Sequence, residues 1–186
     1  MNNSTLDNIF QRRSVRAYTP ECVSDEMVEL LGKTALAAPS GMNAQPWHII
    51  AVQNNDIILE LERAVIDYFI KAGETALVER CKSRNNKIFY NASTVFFITM
   101  KSEVAPKLDV GIVAENISIA ATSMGLGSII LGLPRFPFED PDTSEYWRNK
   151  LTFPEGYDYG IAVAVGYSAD EGTPHQIDMS KLSYVK

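Results

Sequence analysis

The sequence predicts an α+β domain built on one mixed sheet. Four short apolar runs read as strands, and longer stretches with helical spacing lie between them. Their order is not a clean strand–helix–strand alternation. No internal repeat or low-complexity linker divides the chain, so residues 1–186 are expected to form a single domain.

Each element has its own justification. Ser4 is the expected cap of a short first helix over residues 5–10. Ser24 caps a second helix, with Asp25 and Glu26 in its positive first turn. Its predicted core stripe is Met27, Leu30, Leu31, Ala35 and Ala38, and Pro39 and Gly41 end it. "WHIIAV", Trp47 to Val52, is apolar and partly β-branched, and asparagines close it, so it is a strand. Residues 56–84 read as helical with a break at Gly73. "STVFFITM" is a strand buried on both faces. "LDVGIVAENISIAATSMGLG" is a helix with Leu108, Ile112, Ile117, Ala120, Ala121 and Met124 on its inner side, stopped by Gly125 and Gly127. "SIIL" is a short third strand. The proline-rich stretch 133–147 reads mostly as loop, with a short helix in "SEYWRNKL". "YGIAVAVGY" is a fourth, central strand, and the polar tail carries at most an edge strand near its end.

The chain has 17 basic and 23 acidic residues, for a net charge of −6. That balance argues against non-specific binding to nucleic acid or to a membrane surface. Any cationic site is therefore local and suited to a small anion. Cys22 and Cys81 lie far apart with no CxxC spacing, and both read as free thiols. No signal peptide and no run approaching about 20 apolar residues is visible, so a cytoplasmic protein is expected.

Three stretches carry candidate chemistry. "FQRRSVRAYTP" sets Arg12, Arg13 and Arg16 around Ser14. Guanidinium forks suit phosphate, and in an extended segment residues 12, 14 and 16 share a face. The plain alternative is a solvated basic turn. "APSGMNAQPWHII" sets the small residues Pro39, Ser40 and Gly41 beside the amides of Asn43 and Gln45, which suits close approach of a flat polar ring. The plain alternative is a helix-to-strand connection. In "SMGLGSIILGLPR", Gly132 follows a strand, where a glycine lets a backbone N–H come near a ligand. The GLG follows a helix and is no dinucleotide fingerprint, and GxxxxGK[ST], HExxH and GxSxG are absent. His48 and His175 are too few and too scattered for a metal site.

In this order, "RRSVRAY", "APSGMNAQPWHIIAV" and "AENISIAATSMGLGSIILG", followed by "YGIAVAVGY", resemble the FMN-dependent nitroreductase family from about residue 6 to 170. The resemblance implies a mainly antiparallel central sheet flanked by helices, in an intertwined homodimer with FMN at the interface. It implies an NAD(P)H-dependent flavin oxidoreductase. NADH or NADPH and then a small-molecule oxidant, such as a nitroaromatic or quinone, would take turns at flavin N5. It places Arg12, Arg13 and Ser14 at the FMN phosphate and ribityl side, and Arg16 at the N1/C2=O edge. Pro39, Ser40, Gly41 and Asn43 would come from the partner subunit, and the backbone of Leu131 and Gly132 would face N5 and O4. Asn85 or Lys87 would serve the pyrimidine edge. No side-chain nucleophile or metal is required. Where many members carry a basic pair near the C-terminus, this chain has only His175, in "GTPHQIDMSKL". Two rivals fit less of the sequence: a related flavin enzyme (enone reductase or reductive dehalogenase), and a flavin-binding sensor or storage module without turnover.

Overall fold

A computed structural model describes residues 3–101 and 107–186. Four strands form one sheet in the order β1-β2-β4-β3, where β1 is Trp47–Val52, β2 Thr94–Lys101, β3 Gly127–Leu131 and β4 Tyr157–Gly166. Every strand pair is antiparallel. The parallel component of the predicted mixed sheet is a single bridge from Ser14 to Ser128 on the outer edge of β3.

Helices cover both faces. They are α1 Ser4–Gln11, α2 Asp25–Leu36, α3 Asn55–Lys71, α4 Thr75–Lys82, α5 Lys107–Ser123, α6 Phe136–Glu139 and α7 Ser144–Lys150. Strand alternation sorts the core into two layers. Val95, Phe97, Ala162 and Ala164 meet α3 residues Leu61, Val65 and Phe69 on one face. Phe96, Ile98, Val163 and Val165 meet Leu31 and Ala35 of α2 and Val113, Ile117 and Ala121 of α5 on the other. Being covered twice is why β2 and β4 are apolar at nearly every position.

The structure corrects several local expectations. Asn3, not Ser4, caps α1, its side chain accepting from the Thr5 and Leu6 N–H groups. Ser24 caps α2 as predicted, but the helix stops at Leu36 and buries Val28, Leu31 and Ala35 while Leu30 is exposed. In α5 the inner side is Val110, Val113, Ala114, Ile117 and Ala121, and Leu108 and Ile112 face outward. Residues 133–139, expected as loop, form a 3₁₀ turn and α6. The edge strand expected in the tail is absent, and a 3₁₀ turn at Met179–Lys181 takes its place. The break at Gly73 stands, with φ +71° between α3 and α4. No described helix is long and apolar enough to cross a membrane.

Candidate functional site

After α1 the chain turns extended at Arg12 and runs beside the ends of β3 and β4. The Val15 N–H donates to the Ser128 carbonyl at 2.9 Å, Thr19 N–H to Tyr167 at 2.9 Å, and Ala169 N–H to Ala17 at 2.9 Å. Val15 and Tyr18 are buried, which fixes the segment.

The three guanidinium groups diverge from it. Arg12 turns to Glu115 on α5, 3.4 Å away. Arg13 ion-pairs with the Asp170 carboxylate and donates to the Asp170 carbonyl at 2.7 Å and to the Ser168 hydroxyl at 3.1 Å. Asp170 also accepts from the Arg16 N–H at 3.2 Å. With the Arg13 hydrogen bond as the leading cause, the Asp170 carboxyl is held below the usual carboxylate range. A side chain at Gly172 would begin 2.5 Å from the Arg13 guanidinium, so glycine there lets the tail pass over it. Arg16 is exposed and reaches back only to the Ser14 carbonyl, 3.3 Å away. The expected common face for residues 12, 14 and 16 is thus divided between α5 and an open cavity.

Arg16 lines that cavity, which measures about 180 Å³. One wall is the end of β3 with Ile130, Leu131 and Gly132; the other is the end of α4 and the following turn, with Arg80, Arg84 and Lys87. Gly132 has φ −89°, and the nearest atom to a side chain built on it is an Arg135 nitrogen at 3.8 Å. Neither backbone strain nor packing within the chain calls for glycine there, which leaves the open side of the cavity as its use. The Leu131 carbonyl accepts from the partly buried Tyr159 hydroxyl at 2.9 Å. Burial pushes the Cys81 thiol, also on this wall, upward, so it is a poor nucleophile.

Sequence reasoning missed Arg80, Arg84 and Glu62, which faces Lys87 from α3. Glu62 on α3 is 4% exposed, accepts from the Phe89 N–H at 2.9 Å and faces Lys87 at 3.8 Å. Burial raises its carboxyl above the ordinary value, and the Phe89 N–H and Lys87 only partly offset this. The signal for the arginines was their spacing of four in "RCKSR", which also fits a solvated helix face. Of the two candidates in "SRNNK", Lys87 lines the cavity, whereas Asn85 lies with Glu62 and Arg63 in a neighbouring groove.

The remaining predicted residues lie elsewhere in this chain. Pro39, Ser40, Gly41 and Asn43 belong to the loop leading into β1, at the sheet edge opposite β3. Three strand spacings separate the two edges, roughly 14 Å. The loop holds Met42, Asn43 and Gln45 at φ 51°, 54° and 45°, a concentration of left-handed non-glycine residues. Such residues persist where surrounding structure imposes them, often at ligand sites. The Ser40 hydroxyl accepts from the Gln45 N–H at 2.9 Å, and Met42 is fully exposed. His175 sits in a tail whose residues 171–186 are all exposed. Among the described residues no cluster of His, Cys, Asp and Glu is arranged to hold a metal ion.

The model of the family described as Nitroreductase matches residues 9–167. A nitroreductase from Desulfitobacterium hafniense solved with bound FMN is 32% identical, with a TM-score of 0.94 and complete coverage of both chains. An FMN-dependent nitroreductase from Clostridium difficile is 34% identical, with a TM-score of 0.85, again over 100% of each chain. A protein of Archaeoglobus fulgidus, provisionally named an NADH dehydrogenase/NAD(P)H nitroreductase, is 29% identical over 93% of this chain and 90% of its own length.

Proposed function

The chain belongs to the nitroreductase family, and from that premise we propose that it is an FMN-dependent NAD(P)H oxidoreductase acting on flat acceptors such as nitroaromatics or quinones. The observation that carries the proposal is one cavity holding both Arg16, which pairs with no carboxylate among the described residues, and the glycine at position 132. That donor set fits a flavin ring: a cation for one edge and an unobstructed backbone for the other.

FMN, when bound, supplies hydride transfer at N5, loaded by NADH or NADPH and discharged by the acceptor. The chain's residues would bind, orient and tune it. Arg16 would face the N1/C2=O edge, where a cation stabilises negative charge that develops on reduction. Arg12, Arg13 and Ser14 would hold the phosphate and ribityl side, with Asp170 keeping Arg13 in place. Leu131 and Gly132 would present backbone to N5 and O4. His175 would reach the phosphate only once the tail is folded against something.

Pro39, Ser40, Gly41 and Asn43 would reach the ring from a second copy of the chain. Two observations support a homodimer: the distance of their loop from Arg16, and exposed apolar residues on three helices and the tail. These include Leu6, Ile9 and Phe10 on α1, Leu36 on α2, Leu108 on α5, and Leu182 and Tyr184. Exposed apolar side chains on α1, α2 and α5, where α5 touches both of the others, suit a partner-binding face.

The test is an absorption spectrum of the purified protein before and after anaerobic NADH or NADPH. A flavin spectrum that bleaches is the expected result. A protein that takes up no FMN overturns the proposal, and a flavin that stays oxidised with both donors makes it a binding module. Arg16→Gln should slow flavin reduction by about tenfold or more, as expected for removing a charge-assisted contact to a developing anion.

A further inference from the structure

Resting on that reading of the cavity, we infer that Arg80 and Arg84 form an anion clamp. It holds a carboxylate carried by the acceptor, so the oxidant is a flat acid and not a neutral ring.

The chain is acidic overall, and most described cations face a carboxylate. Among the described residues Arg80 and Arg84 do not, nor does the Arg16 side chain, and all three line the same cavity. Arg80 lies in the last turn of α4 and Arg84 two residues past its end, and both line the cavity. The Arg84 guanidinium is oriented in advance. It donates to the Tyr90 hydroxyl at 2.7 Å and its carbon lies 5.9 Å from the Tyr90 ring centre. Its remaining N–H groups keep the planar fork that grips a carboxylate through two bonds.

Like charges gathered without counter-charge repel one another, and the arrangement is favourable once an anion enters. The flavin itself leaves this pair over: its phosphate has Arg12, Arg13 and Ser14, and its ring edge has Arg16. The nicotinamide donor is also anionic. Its ring, however, bears a neutral carboxamide, and a ribose separates its phosphates from the ring. A clamp on the wall of the ring cavity is therefore better placed for a group attached directly to the acceptor's ring.

The experiment uses the FMN-loaded protein and two non-reducible probes, benzoate and benzamide, followed by flavin absorbance and by calorimetry. Benzoate should bind about tenfold tighter than benzamide or better, the return on one charge-assisted bidentate contact. In the Arg80→Gln/Arg84→Gln variant that ratio should fall to about one. The ratio of kcat/KM for 4-nitrobenzoate over 4-nitrobenzamide should fall with it by about tenfold. Should the double variant fail to fold, Arg80→Gln alone must lower both ratios. Equal binding of the two probes to the wild type, or a ratio untouched in the variants, overturns the clamp. So does a loss of NADH-driven flavin reduction as large as the loss of 4-nitrobenzoate turnover, which would give the clamp to the donor's phosphates. A wild type that takes up no FMN overturns the flavin reading and the clamp together; one that binds FMN without preferring benzoate overturns the clamp alone.

Discussion

Asp170 backs the segment that carries Arg16 and Glu62 the turn that carries Lys87, each meeting a basic residue and a backbone N–H, yet their acidities move in opposite directions. Asp170 is partly exposed and receives the Arg13 guanidinium, the Arg16 N–H and the Ser168 hydroxyl, and its carboxyl falls below the usual range. Glu62 is almost fully covered, receives the Phe89 N–H and meets Lys87 only at 3.8 Å, and its carboxyl rises. The difference teaches that an ionic partner does not by itself decide acidity. Donors in contact stabilise the anion at Asp170, whereas at Glu62 lost hydration outweighs a distant cation. One segment is held by charge pairing; the other by a buried acceptor under electrostatic stress.

Removing each group should separate the two kinds of support. Glu62→Ala strips the buried Phe89 N–H of its acceptor and should cost about 2–3 kcal/mol in urea unfolding, the penalty for a buried unsatisfied donor with an unpaired cation nearby. A loss below about 0.5 kcal/mol would mean that water replaces the carboxylate and that burial there is shallow. Asp170→Ala acts on a partly exposed pair and should cost about 1 kcal/mol. A loss equal to that of Glu62→Ala would break the contrast.

The isosteric changes should be milder and of unlike sign in their pH dependence. Gln at 62 keeps an oxygen for the Phe89 N–H and removes the stressed charge, so stability should stay within about 1 kcal/mol of wild type at neutral pH. Because the folded pKa of Glu62 is raised, its ionisation costs stability, in full above that raised value. On acidification the protein regains this stability as pH falls towards the ordinary 4.5. Glu62→Gln should lack the regain. Asp170 works the other way: its contribution is fully present above the ordinary 3.8 and disappears as pH falls through the depressed folded value. Asp170→Asn should flatten that acid-side loss. Unfolding free energies measured between pH 3 and 7 on the two variants check both signs.

What was legible in the sequence followed local chemistry. β1 is bounded as predicted because an apolar, β-branched run is closed by Gln53, Asn54 and Asn55, and Asn54 then caps α3 through its side chain. Gly73 was readable as a break because the chain turns there through a positive φ. The inner side of α5 was readable only in part: Ile117 and Ala121 are covered as expected and Ala120 and Met124 pack against the same core, but Leu108 and Ile112 are not covered, because that helix is apolar nearly all round and only its neighbours decide which residues are covered. At the site, the arginines of residues 12–16 were visible, but their partners were not. Glu115 and Asp170 are brought to them by the fold from more than 100 positions away. Arg80 and Arg84 stayed hidden because a helix end with basic residues four apart is the ordinary pattern of a wet surface.

The ties between residues 13–19 and 167–170 also govern the order of events when the chain first folds. The Arg13–Ser168 hydrogen bond joins positions 155 apart. A closure that long is entropically late, so the turn bearing Arg16 gains its final seat only after residues 168–170 have been made. A nascent chain that has not yet emitted Ser168 has helices and a growing sheet but an unfinished cavity. In refolding, recovery of ligand-binding capacity should therefore lag behind recovery of far-ultraviolet ellipticity, and the lag should lengthen when Asp170 is replaced.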